Sequence, residues 1–130
     1  MTAACLDSWA ILAWLDGEEP ATTHIEGLVD TRPVVSWVNL VEVYYRIERD
    51  HGRAAADETL RDLRAVLAPD LPGTARMIQA ARCKTSAPIA LADCFAIVTA
   101  AAHGVPLLTG DPEILDREDL PCATVDLRGG

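Results

Sequence analysis

The segment PIALADCFAIVTAAAHG, residues 88–104, predicts a helix that is apolar on almost every face, yet it carries a carboxylate at Asp93. A helix that is hydrophobic all round belongs inside a protein. An unpaired carboxylate in such a place is strongly destabilising, and no basic residue lies four positions away to neutralise it. The chain must therefore fold so that something outside this helix compensates the charge of Asp93.

Three other acidic residues occur in similarly apolar surroundings. Asp7 follows TAACL, Glu42 lies within VSWVNLVEVYY, and Asp111 closes VPLLTGD. Most of the remaining acids stand among polar residues, as in DGEE and DREDL. Four carboxylates are thus set in segments that otherwise predict burial.

Length and composition predict one domain over residues 1–130, because half of the residues are hydrophobic and a chain of this size can bury a substantial core. The N-terminus lacks the basic flank of a signal peptide. The apolar run 87–102 is shorter than the ~20 residues of a membrane span, so we expect a soluble, cytoplasmic protein without membrane association. Without a C-x-x-C motif, the cysteines are expected to be reduced thiols.

Charge is distributed unevenly along the chain. The net charge is −9, which argues against general electrostatic attraction to nucleic acid. Residues 46–84, however, contain eight basic and six acidic residues. This basic run is either a pair of solvated helices with partners such as Asp57 and Arg61, or a flank that faces a substrate or a partner.

Hydrophobic periodicity predicts strands alternating with helices. Ser36 is the expected N-cap of the helix that ends at Gly52, and Thr74 that of a later helix. Short strands are predicted in TAACL, PVVS, VPLLT and ATVDL. Helices are predicted in SWAILAWLDG, in the segment that begins at Pro20, in WVNLVEVYYRIERDHG, RAAADETLRDLRAVL and ARMIQAARCK, and around Asp93. Connectors are predicted in APDLPG and GDPEILDRED. Without hairpin signals, this order predicts an α/β fold with a parallel sheet and helices on both faces.

The four acids are placed where they can meet. Sites in open parallel sheets form beyond the carboxyl ends of the strands, and Asp7 and Asp111 each follow a predicted strand. Glu42 lies about 9 Å along the helix after the second strand, at ~1.5 Å per residue. If the Asp93 helix crosses the same edge, all four carboxylates converge on one pocket.

Such a cluster predicts a divalent cation, because unpaired carboxylates in one cleft repel. Hard oxygen ligands suit Mg²⁺ or Mn²⁺, whereas the chain has no His/Cys set with zinc spacing. A cation held this way can activate water and bind a phosphate oxygen, which is the chemistry of phosphodiester hydrolysis.

Each acid also has a purely structural interpretation. Asp7 and Asp111 are each placed to cap a following turn or helix, and Glu42 can pair with Arg46. Supporting roles are open for two polar neighbours, the Asn39 amide and the Thr109 hydroxyl, which can orient a carboxylate or serve as ordinary cap and strand residues. Glu113 and Asp116 are expected to be solvated.

The segments CLDSWAILAWL, SWVNLVEVYYRI and LADCFAIVTAAAHGVPLLTGD resemble the signature segments of the PIN-domain family, in particular its VapC-type toxins. The resemblance implies a three-layer α/β/α sandwich around a mostly parallel sheet. It maps the family's acidic quartet onto Asp7, Glu42, Asp93 and Asp111, with Thr109 in the polar position before the last acid.

The resemblance further implies a Mg²⁺-dependent endoribonuclease that cleaves tRNA or ribosomal RNA, forms a homodimer and is inhibited by a cognate antitoxin. On that hypothesis the basic run 46–84 is a flank for RNA or antitoxin. Two other functions stay open. One is a PIN-type interaction module without catalysis, and the other is a flavodoxin-like phosphoacceptor domain, which would need a lysine after a late strand, whereas the only lysine is Lys84.

Overall fold

The strands at the centre of the fold are short and apolar on both sides. The fold was obtained as a computed structural model that describes residues 2–129. Every residue of β1 (Cys5–Leu6), β2 (Val34–Ser36) and β4 (Leu107–Thr109) is buried. Burial of consecutive residues, which point to opposite faces, is typical of a parallel sheet that helices cover on both sides.

Strands and helices alternate through the described residues. Two further strands are β3 (Ala68–Asp70) and β5 (Thr124–Asp126). The helices are α1 (Ser8–Leu15), α2 (Ala21–Glu26), α3 (Trp37–His51), α4 (Arg53–Val66), α5 (Thr74–Ser86), α6 (Leu91–His103) and α7 (Pro112–Leu115), with a 3₁₀ turn at Val29–Thr31.

The five strands form one sheet in the order β3-β2-β1-β4-β5, and every pairing is parallel. The predicted parallel α/β architecture is thus confirmed. From β1 the chain first builds towards β3 and then returns to add β4 and β5 on the other side. The reversal between β1 and β4 opens a crevice at their carboxyl ends, which is where ligands bind in sheets of this kind.

Helices cover the two faces of the sheet and complete three layers. Leu6, Val35 and Leu108 belong to a core shared with α1 to α4. Their neighbours Cys5, Val34 and Leu107 point the other way, into a core shared with α5, α6 and Ile114 of α7. This confirms the α/β/α sandwich that the resemblance implied.

The helix that carries Asp93 is as buried as its composition predicts. All residues from Cys94 to Ala100 are buried, although the helix begins at Leu91 rather than at Pro88. Other helix ends follow the predicted signals. The Ser36 hydroxyl accepts a hydrogen bond from the Val38 N–H at the start of α3, and Gly52 ends that helix with φ +92°.

Several local predictions differ from the structure. Thr74 is the first residue of α5 and not its cap, because extended Gly73 precedes the helix without a capping side chain. The predicted loop after Gly110 contains α7, which Pro112 starts and Asp111 caps. The connector APDLPG, for which the sequence also allows a few extended residues, contains them as the edge strand β3, which pairs with β2.

The prediction that Asp57 and Arg61 form an ion pair is wrong. The Asp57 carboxylate instead accepts a hydrogen bond of 2.6 Å from the Tyr44 hydroxyl, which joins α3 to α4. Arg61 lies 3.7 Å from Glu58 and 3.4 Å from Asp62. All three of these groups are exposed, so such pairs stabilise the helix little.

Two expectations about the whole chain can be compared with the structure. The four cysteines are all free thiols. Within residues 2–129, no helix combines the length and the apolar character that crossing a bilayer requires.

We predict that Ile97→Ala destabilises the protein by about 2–5 kcal/mol, because it leaves a cavity in a core that cannot fully collapse. Ile97 is 0% exposed at the centre of α6, whereas Leu71, between β3 and α5, is 80% exposed. The matched control Leu71→Ala is therefore expected to change stability by about 0.5 kcal/mol or less. Urea denaturation measures both values, and equal losses would contradict this description of the core.

Candidate metal-dependent active site

Four acidic side chains from separate parts of the chain surround the carboxyl end of the sheet. Asp7 follows β1, Glu42 lies in α3, Asp93 lies in the first turn of α6, and Asp111 follows β4 by two residues. Glu42, Asp93 and Asp111 line one cleft of about 270 Å³. Asp7 is only 1% exposed, and its carboxyl interacts electrostatically with Asp111 and Glu42. The structure therefore brings the predicted quartet together.

Asp7 is held by both of its oxygens. Oδ1 accepts a hydrogen bond of 2.8 Å from the Ala10 N–H, so Asp7 is the N-cap of α1. Oδ2 accepts a short hydrogen bond from the Thr109 hydroxyl at the end of β4. The Thr109 oxygen in turn accepts from the Asp111 N–H at 3.0 Å. One threonine thus fixes the relative positions of two acids of the quartet.

Burial and mutual repulsion raise the pKa of two of the acids towards neutrality. Burial, with smaller contributions from the Asp111 and Glu42 charges, raises the pKa of Asp7 to about 7 despite the hydrogen bonds from Thr109 and Ala10. Burial also raises the pKa of Asp93 to about 7, with added repulsion from Asp111 and Asp7. Carboxylate oxygens of Asp93 and Asp111 lie within 4.8 Å of each other, close enough for this repulsion. A proton bound to one of these carboxyls reduces the repulsion between them, and a divalent cation, with its higher charge, would reduce it further.

Asp93, Asp111 and Glu113 each offer a carboxylate oxygen, and these oxygens lie within 4.8 Å of one another. Carboxylate oxygens at this separation are the donor set that Mg²⁺ or Mn²⁺ requires, with water completing the coordination. Glu113 is exposed as predicted, but the sequence interpretation missed that its carboxylate joins this group. The cause is α7, whose first turn brings Glu113 next to Asp111, with the Glu113 N–H donating to Asp111 Oδ1 at 2.9 Å.

Asn39 supports the site through backbone and hydroxyl groups. Its buried amide donates hydrogen bonds of 3.2 Å to the Ser8 hydroxyl and to the Ala92 carbonyl oxygen. Ser8 follows Asp7 and Ala92 precedes Asp93, so Asn39 ties α3 to the two segments that carry these acids. It makes no hydrogen bond to an acid of the quartet among residues 2–129, unlike the direct orientation that the sequence suggested.

Glu42 pairs with Arg46, whose guanidinium lies 3.5 Å from its carboxylate. Both side chains line the cleft, so the structural and functional interpretations of Glu42 are compatible. The cleft has further walls that the sequence reasoning did not assign. Its other lining residues are Ser8, Trp9, Leu12, Ala13, Asp16 and Glu18.

The basic run from Arg46 to Lys84 does not form an isolated positive surface. Arg49 contacts Asp50 at 2.9 Å, Arg53 lies 3.8 Å from Glu48, and Arg76 contacts Asp70 at 2.8 Å. Together with Arg46 and Arg61, five of the eight basic residues of the run therefore lie within 4 Å of a carboxylate.

The chain also matches a known protein family. The family model for the PIN domain matches residues 4–119. The chain belongs to the PIN domain family. No curated protein sequence shows significant similarity to it.

Solved structures share the fold at low sequence identity. A chain of DNA-bound VapBC from Salmonella typhimurium is 16% identical, with a TM-score of 0.78 over 98% of this chain and 100% of that one. A chain of VapBC2 from Rickettsia felis, bound to a promoter DNA fragment, is 13% identical, with a TM-score of 0.78 over 96% of this chain and 98% of that one. Mycobacterium tuberculosis VapC20, described as a sarcin–ricin loop cleaving toxin, is 14% identical, with a TM-score of 0.69 over 88% of this chain and 94% of that one.

The raised pKa values predict how stability depends on pH without divalent metal. Asp7 and Asp93 have a pKa of about 7 in the folded protein and 3.8 ordinarily. The folded state therefore binds more protons between these values, and stability falls as the pH rises from 5 to 8. In EDTA, the Tm of Asp93→Asn should fall less over this range and exceed the wild-type Tm at pH 8.

The control for this experiment is Asp116→Asn, since Asp116 is exposed at the end of α7. Its Tm should follow the wild-type curve. Parallel curves for Asp93→Asn and wild type, measured by scanning calorimetry, would show that the Asp93 carboxylate is not destabilised in the folded state.

Proposed function

We propose that this chain is a VapC-type toxin, a Mg²⁺-dependent endoribonuclease that cleaves tRNA or ribosomal RNA and thereby inhibits translation. The observation that carries the proposal is that Glu42, Asp93 and Asp111 line one cleft, with buried Asp7 interacting electrostatically with Asp111 and Glu42, where the sheet reverses its strand order. Mn²⁺ is expected to substitute for Mg²⁺, since both prefer the same oxygen ligands.

Two comparisons support this choice within the PIN family. The fold matches chains from VapBC complexes over nearly their whole length. One similar structure is a toxin described as cleaving the sarcin–ricin loop. We expect the substrate here to be a single-stranded or looped RNA in the cytoplasm, because A-form helices hide most base edges from side chains.

The residues of this chain would divide the work as follows. Asp93, Asp111 and Glu113 would hold the cation, with Glu42 on the neighbouring wall. Thr109 would orient the Asp7 carboxylate, which lies against the cluster from the buried side. When bound, Mg²⁺ supplies Lewis-acid chemistry at the scissile phosphate and its attacking water. Among residues 2–129, no histidine or lysine lines the cleft, and the proposal assigns no separate general base.

A cognate antitoxin and a second copy of the chain are the proposed protein partners. The cleft wall carries Asp16 and Glu18 in addition to Glu42, Asp93 and Asp111, so a basic segment of an antitoxin is complementary to it. Val41 and Tyr45 lie one turn apart on α3 and are 60% and 49% exposed. Exposed apolar side chains this close together favour contact with another protein.

The phosphoacceptor alternative has no support in the geometry. Lys84 lies in α5, and its Nζ donates a hydrogen bond of 2.6 Å to the Ile89 carbonyl oxygen. The lysine is therefore committed to the α5–α6 connection. An interaction module without catalysis would share this fold, and the cleavage experiment separates it from a nuclease.

The central prediction is that purified protein cleaves RNA into fragments with defined 5′ ends only when Mg²⁺ or Mn²⁺ is present. Asp93→Asn should reduce cleavage by at least about 100-fold, because it removes one of the charged ligands of the cation. Sequencing of the RNA ends before and after metal addition measures this. Asp116→Asn is the matched control and should cleave as wild type does.

Metal binding should also be visible without RNA. Mg²⁺ should raise the Tm, because a ligand that binds only the folded state stabilises it by about 2.7 kcal/mol at 100 times its Kd. The gain should be smaller for Asp93→Asn and unchanged for Asp116→Asn. A gain of the same size in all three proteins would place the cation outside the quartet.

A further inference from the structure

Trp9 is the one aromatic residue among the described residues that line the acidic cleft. It is the second residue of α1, two positions after Asp7, and it is partly exposed. Five carboxylates and one cation, Arg46, line the same cleft. An indole therefore stands beside the acidic cluster, in a wall that is otherwise mostly charged.

The indole is seated on the end of β4. A Cβ built on Gly110 would overlap the Cη2, Cζ2 and Cε2 atoms of the Trp9 ring. Gly110 does not have a positive φ, so its backbone conformation does not explain the glycine. The close approach of the ring does. Because Gly110 lies between Thr109 and Asp111, the Trp9 ring is fixed next to the residues that organise the site.

The other two tryptophans have different surroundings. Trp14, on the same helix, lines a groove with Leu63 and Val66 of α4. The Trp37 ring lies 5.4 Å from the Arg64 guanidinium. All three tryptophans pack against the same core, but among the described residues Trp9 alone of the three also lines the cleft that contains Glu42, Asp93 and Asp111.

We infer that Trp9 forms a nucleobase-binding subsite, on which a base next to the scissile phosphate stacks. This inference rests on the proposed nuclease function and names the part of the substrate that this wall receives. The acidic cleft repels phosphates, whereas a nucleobase is uncharged and presents a π face. Stacking on an aromatic side chain holds a base with little sequence preference, and it leaves the adjacent phosphate directed at the acidic cluster.

The test measures binding of a fluorescein-labelled, single-stranded 12-nucleotide oligouridylate by anisotropy, in the parent protein with all four acids intact and with Ca²⁺ in place of Mg²⁺, so that the RNA is not cleaved. Trp9→Leu should weaken binding by about 10-fold, within the range measured for loss of one base–aromatic stack. Trp9→Phe should keep the affinity within about 3-fold, because a phenyl ring also stacks. Trp14→Leu is the matched control on the same helix and should bind as the parent does.

A second measurement leaves Trp9 in place and so does not depend on whether Trp9→Leu folds. In a Trp14→Phe/Trp37→Phe protein, Trp9 is the only indole, and oligouridylate should quench its fluorescence in a saturable way. An oligomer with the same sugar–phosphate chain but no bases should bind at least about 10-fold more weakly and quench little.

The results separate the subsite from the proposed function. Equal affinity of Trp9→Leu and its parent, equal binding of the abasic oligomer, or no binding of oligouridylate would overturn the subsite, even if metal-dependent cleavage is observed. Loss of protein–protein association with RNA affinity retained would also overturn it and assign Trp9 to a partner. Trp9-dependent binding without any cleavage by wild type would overturn the nuclease function and leave the subsite standing.

Discussion

The hydrogen bond from Thr109 to Asp7 joins the two central strands at the edge of the sheet where the carboxylates gather. It depends on the pairing of β1 with β4, in which Leu6 lies opposite Leu108, so that the next residues come level. Because Thr109 also accepts from the Asp111 N–H, one side chain holds two groups whose charges repel. This contact fixes the two acids relative to each other, and burial at this position raises the pKa of Asp7 and of Asp93 to about 7 even though the Thr109 hydrogen bond lowers that of Asp7.

Structural and functional roles coincide at several of these acids. Asp7 caps α1 and Asp111 caps α7, and both also take part in the acidic cluster. A cap uses one carboxylate oxygen and leaves the other free for another contact. The interpretation of these residues as simple caps is therefore correct as far as it goes, and it does not compete with a role in binding a cation.

Most of the elements around the site follow from local signals in the sequence. Ser36 and Gly52 bound α3 as predicted, and the uninterrupted apolar stretch after Asp93 becomes the most buried helix. Errors occurred where the signal was weak. A four-residue helix such as α7 has too few residues to show periodicity, so Glu113 was assigned to a solvated loop although its carboxylate reaches the cluster.

The sequence by itself determined that each of the four acids lies within an apolar segment, because the tendency of a residue to be buried is encoded in its own side chain. It therefore identified Asp7, Glu42, Asp93 and Asp111 as the unusual acids of the chain, and an α/β class for the fold. Only the tertiary structure decided that the strand order is β3-β2-β1-β4-β5 and that Trp9 rests on Gly110. It also decided that the Asn39 amide donates to Ser8 and Ala92, the sequence neighbours of Asp7 and Asp93, and not to the acids themselves. These contacts join residues far apart in the chain, and periodicity carries information only about neighbours along it.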